Sequence, residues 1–227
     1  MTKFNSTTGH LLMSDVHVTD LGTALAFVGT FGENHRSGIH SLELDLSSGT
    51  LTSRQLSSIG KNPSYFTIHP NGANLYTVNE NENGTVTACK IDRENCRLTR
   101  LNKRGTGDAG PCYCSISASG NWLFVAHYDG GTIAVLPITH DGRVEDVADT
   151  ITHNGSSIHP ERQTRPHPHA IVPGPEGRLI YVPDLGVDRV FIYKLDSESG
   201  SLQVTDPPSI SVTDGSGPRH MTFHRHC

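Results

Sequence analysis

Apolar and polar positions fall into short blocks rather than long periodic stretches. Residues 65 to 69 and 75 to 79 are aromatic, β-branched and aliphatic runs separated by a Pro-Asn-Gly turn at Gly72. Two such runs around a glycine, which supplies the positive φ of a tight turn, predict a β-hairpin. A third run, GTVTACKID (84 to 92), alternates in part as half-buried strands do, and RLTRLNKRG (97 to 105) follows it. The order then recurs. NPSYFTIHPNGANLYTVNE (62 to 80), GPCYCSISASGNWLFVAHY (110 to 128) and HPHAIVPGPEGRLIYVPDL (167 to 185) align without gaps. Pro63, Pro111 and Pro168 are thereby equivalent, as are Gly72, Gly120 and Gly177. The intervals are 48 and 57 residues, and Pro218 opens a further copy 50 residues later.

Later strands of the second and third copies are read at GTIAVLPIT (131 to 139) and GRVEDVADT (142 to 150), then at DRVFIYKLD (188 to 196) and SLQVTDPPSI (201 to 210). Four short strands in a period near 50 predict an all-β fold, a β-propeller of four-stranded blades. The units run over about 24 to 60, 61 to 109, 110 to 164 and 165 to 216, with an opening strand at 217 to 227. The first unit holds only three strands, at 24 to 32, 38 to 46 and 51 to 60. Residues 1 to 21 are expected to be an N-terminal extension, and 22 to 227 the propeller domain.

Composition narrows the function. Only 18% of the 227 residues are charged, and 23 Gly and 13 Pro disfavour both a coiled coil and a charged disordered chain. Apolar runs such as Ala24 to Val28 fall far short of the ~20 residues of a membrane span, so no membrane is expected. No secretory signal is recognisable at the N-terminus, which makes a cytoplasmic location the expectation. A net charge of -5 without a basic stripe argues against nucleic acid. The five cysteines are odd in number and read as reduced. Cys112 and Cys114 share a strand face but lack the usual C-x2-C zinc spacing, so neither a metal nor a cofactor is assigned.

The phrases NPSYFTIHPNG, HPHAI, DLGVDRVFIYKLD and GPRHMTFH, in this order from about Ala24 to His224, resemble the lactonase family of seven-bladed β-propellers. That family includes the 6-phosphogluconolactonase and carboxy-cis,cis-muconate cyclase types. The resemblance implies a site in the central channel acting on a small-molecule lactone. It implies a catalytic histidine at His169 with His167 beside it, and an arginine at Arg219 beside His220. A neutral imidazole accepts a proton at neutral pH, and a permanent guanidinium holds a carboxylate or a developing oxyanion. No serine nucleophile is required.

Arg165, just before the His-Pro-His motif, reads as a contact to an anionic substrate or as a solvated loop residue. His127 and Tyr128 end a second strand, equivalent to Asn79-Glu80 and Asp184-Leu185, and are expected near the channel mouth. Asp184 and Arg189 read as turn and salt-bridge residues. The family pattern also carries an Asn-Glu pair one hairpin after the GPRHM motif. Here Arg225-His226-Cys227 stands where Pro-Asn-Gly is expected. Asn79-Glu80 is such a pair but belongs to an earlier blade, where Glu80 is expected elsewhere around the axis and is only a weak substitute candidate for the acidic residue. The expectation is a truncated arc of about four blades, with exposed blade faces favouring self-association. The readings are hydrolysis of a sugar-acid lactone such as 6-phosphogluconolactone, a muconate-type cyclisation, or a non-catalytic binding or scaffold module.

Overall fold

The computed structural model describes residues 22–32 and 37–224, so the expected N-terminal extension lies outside the described residues. Fifteen strands form four antiparallel sheets, and no helix occurs among the described residues. The first sheet holds β1 (Thr23–Gly29), β2 (Ile39–Asp45) and β3 (Leu51–Ser57). The second holds β4 (Phe66–Ile68), β5 (Asn74–Asn79), β6 (Thr85–Asp92) and β7 (Arg97–Gly105). The third holds β8 (Pro111–Ile116), β9 (Trp122–His127), β10 (Thr132–Pro137) and β11 (Asp149–Thr152). The fourth holds β12 (Val172–Pro173), β13 (Leu179–Asp184), β14 (Arg189–Leu195) and β15 (Leu202–Ser211). Within each sheet spatial order follows chain order, which makes each a propeller blade.

The hairpins close as their composition demands. Gly72, Gly120 and Gly177 take φ of 68°, 80° and 69°, and their N–H groups donate to His69, Ser117 and Gly174 at 2.8–2.9 Å. A residue with a Cβ is disfavoured at that φ. The strand expected at 142 to 150 starts later, at Asp149. Val144 is instead buried between blades and held by Asn102 of the preceding blade, whose amide donates to the Val144 carbonyl at 2.7 Å and accepts from its N–H at 3.1 Å. Residues 217–224 join no ladder, and 225–227 lie outside the described residues.

The core is divided among the spaces between blades. Phe27, Ile39, Phe66, Leu75 and Cys89 pack between the first and second blades. Tyr76, Val78, Val86, Leu123 and Val125 pack between the second and third. Phe124, Ile133, Ile180, Val182 and Tyr193 pack between the third and fourth. Successive side chains of a strand point to opposite faces, so β5 sends Leu75 to one space and Tyr76 to the next. This explains why β5 and β9 are buried at every position. The end blades bury less: Leu51 on the first, and Val204 and Ile210 on the fourth, remain more than half exposed.

Candidate active site

One backbone device, repeated, sets the inner rim. The N–H just beyond each second strand donates to the carbonyl of the residue preceding the equivalent proline: Glu80 to Asn62 at 3.0 Å, Tyr128 to Gly110 at 2.9 Å, Leu185 to His167 at 3.1 Å. Each inner segment is thereby pinned beside the end of its neighbour. The residue after each proline is Ser64, Cys112, His169 or Arg219. All four line a single cavity of about 250 Å³, together with Glu80, Tyr65, His220 and the Gly29-Thr30-Phe31 segment of the first blade.

The walls differ in chemistry. Ser64 Oγ donates to Glu80 Oε2 at 2.5 Å, fixing the direction of that carboxylate. Burial pushes the Cys112 thiol far above its usual range, the Glu80 charge raises it further, and the Tyr128 backbone hydrogen bond and Arg219 only partly oppose them. A thiol held protonated is a poor nucleophile, so Cys112 forms an inert wall. Tyr65 stacks on Tyr113 with ring centroids 4.1 Å apart. Burial, followed by the charge and hydrogen bond of Tyr113, keeps the Tyr65 phenol well above its ordinary range. His220 meets the His169 ring edge to face at 5.2 Å. The cavity therefore combines an imidazole, a guanidinium and a carboxylate against neutral aromatic surface.

Of the residues singled out from the sequence, His169, Arg219 and His220 come together here. The other three lie outside the lining. His167 is buried against Tyr128, stacked at 4.3 Å, with its Nδ1–H donating to the Tyr128 carbonyl at 2.6 Å. Arg165 is exposed and donates to the Asp129 carbonyl. His127 is wholly buried, and its Nδ1–H is directed at the Thr132 hydroxyl at 3.1 Å, which in turn donates to Asp108 at 2.8 Å. Burial drives its imidazole down to about 4, against smaller opposing contributions from Thr132 and Asp108. It is an interior histidine.

Asp184, in the same column as His127, serves structure. One oxygen accepts from the N–H groups of His167 and Gly186 at 2.7 and 2.9 Å, the other from His153 Nδ1 at 2.7 Å. Arg189 bonds Ser209 instead. Glu80 is the main departure from the sequence reading. It does sit on an earlier blade, yet it reaches the same cavity as His169 and Arg219. Ser64 and Cys112 were missed, although both stand directly after an equivalent proline. Among the described residues no group of three or more His, Cys, Asp or Glu is arranged to hold a metal.

Comparison with known proteins gives a consistent result. The family model described as "Lactonase, 7-bladed beta-propeller" matches residues 25–226. A 6-phosphogluconolactonase of Bacillus subtilis is 33% identical over 201 residues, covering 88% of this chain and 56% of that protein. A solved structure of a putative 6-phosphogluconolactonase from Bacteroides fragilis superposes with a TM-score of 0.85 at 31% identity, covering 93% of this chain and 61% of that one. A periplasmic gluconolactonase from Pseudomonas aeruginosa does so with a TM-score of 0.85 at 33% identity, covering 90% and 59%. The chain thus spans less than two thirds of the length of these relatives.

Proposed function

The chain belongs to the lactonase family of seven-bladed β-propellers, and from that premise we propose that its inner cavity hydrolyses a sugar-acid lactone of the 6-phosphogluconolactone type. The observation that carries this reading is the meeting of His169, Arg219 and Glu80, from separate blades, around one cavity of about 250 Å³. That space suits a single sugar ring rather than a polymer.

In the proposed reaction a water molecule attacks the lactone carbonyl and His169 takes its proton. Arg219 faces the oxygen on which negative charge develops, and supplies attraction that strengthens as the carbonyl becomes an oxyanion. Collapse breaks the ring C–O bond, and the leaving alkoxide takes the proton from the imidazolium of His169. The carboxylic acid so formed ionises to the sugar-acid carboxylate, releasing one proton to solvent, and the ring oxygen is left as a free hydroxyl. Glu80, aimed by Ser64, orients a sugar hydroxyl or the attacking water. Cys112 takes no covalent part.

Proton release from 6-phosphogluconolactone at pH 7, corrected for spontaneous hydrolysis, tests the reading. His169→Ala is expected to lower kcat/KM by about 10²–10⁴-fold, the range for loss of a general base. Arg219→Ala is expected to lower it by a comparable factor of about 10²–10³, and Glu80→Gln by less. A rate unchanged by His169→Ala rejects the site. A chain with no rate above background favours a binding module.

A further inference from the structure

We infer that Asp188 is a positioning residue for this site, its carboxylate anchoring the turn that presents Arg219 to the cavity. The reading of the turn stands on geometry alone; its consequence for turnover rests on the function proposed above. Asp188 is 3% exposed and follows the blade-end turn after β13, with a φ of 53°. Its Oδ1 accepts from the Gly217 N–H at 2.7 Å, and its Oδ2 from the Gly215 N–H at 2.6 Å and the Ser157 hydroxyl at 2.5 Å. Its own carbonyl accepts from Val212 N–H at 3.0 Å. One residue thus gathers the chain at 157, 212, 215 and 217.

Three donors converge on two oxygens, a demand that an ionised carboxylate meets and an amide does not. Burial alone would raise the Asp188 carboxyl, but the hydrogen bonds from Ser157, Gly217 and Gly215, with a further one from Gln163, together outweigh it and hold the group below the ordinary range. The anchored glycines have φ of 81° and 55°, and a Cβ on Gly217 would stand 3.3 Å from Leu185. Pro218 follows Gly217 and fixes its own φ, so little freedom separates the anchor from Arg219. The segment beyond it joins no strand. Among the described residues, the nearest side-chain anchor before Arg219 is thus the Asp188 carboxylate on Gly215 and Gly217.

The test uses the whole chain. Asp188→Asn is expected to speed amide hydrogen exchange across 215–217 at least tenfold while β9 and β10 keep their protection. It should also lower kcat/KM for 6-phosphogluconolactone about tenfold. Because Asp188 acts through Arg219, the double variant with Arg219→Ala should be no slower than Arg219→Ala alone. Where Asp188→Asn does not fold, Asp188→Glu, which keeps the charge one methylene further out, is measured in the same way. Unchanged exchange at 215–217, equal loss of protection in β9 and β10, or an additive fall in the double variant each overturns the inference. A wild-type chain without lactone turnover rejects the proposed function, and the anchoring is then decided by exchange alone.

Discussion

His127 and His169 show how one residue type acquires two fates within a repeat. His127 ends a second strand, is sealed between blades and has an Nε2 with no hydrogen-bond partner among the described residues. His169 follows a proline one blade later and faces the cavity. Sequence spacing at the end of a strand does not say which face its last side chain takes, so His127 read as a mouth residue and proved internal. The buried imidazole has a measurable signature. Its folded-state value of about 4 lies below the ordinary 6.5, so the unfolded chain takes up the proton first as pH falls. Its contribution is complete above about pH 6.5 and is lost toward pH 4. Urea unfolding should therefore show this histidine removing about 2 kcal/mol between pH 7 and pH 5, at 1.36 kcal/mol per pH unit below its unfolded value. His127→Gln should flatten that part of the slope; an unaltered slope would place the titration elsewhere.

At the scale of the strand, most of the architecture was legible because each local signal agreed with the next. Glycine punctuation, paired apolar runs and the period near 50 all name the same hairpins, and β1 to β10 lie where those runs predict. The late start of β11 was not legible, since it depends on Asn102 of another blade. The site divides in the same manner. His169 and Arg219 followed from a resemblance of short motifs. Glu80 did not, because its place in the same lining depends on how separate blades are packed, which no single blade's pattern encodes. Two glycines of the second blade give a test of inter-segment fit. A Cβ on Gly84 would lie 1.9 Å from the Asp108 carbonyl oxygen, whereas Gly105 has open space and an ordinary φ. Gly84→Ala is expected to cost about 2 kcal/mol or more through forced backbone movement. Gly105→Ala should be neutral or stabilising by up to about 1 kcal/mol. Equal midpoints for the two variants in chemical denaturation would contradict the packing described.

Across the whole molecule, stability is distributed as in other repeat architectures, with neighbouring units supporting one another. The second and third blades are covered on both faces, while the first and fourth are each covered on one. Amide exchange should accordingly be slowest in β5, β9 and β10 and faster in β3 and β15, whose side chains are largely exposed. Uniform protection across all four blades would show that the end blades are supported by something beyond these three cores. The succession of prolines at 63, 111, 168 and 218 carries a final consequence. Each repeat offers one seat at the cavity, occupied here by a hydroxyl, a thiol, an imidazole and a guanidinium in turn. The occupant of a seat can be exchanged while the layers between blades stay as they are. Divergence within such a scaffold can thus rewrite catalytic character seat by seat, with folding left to a separate set of positions.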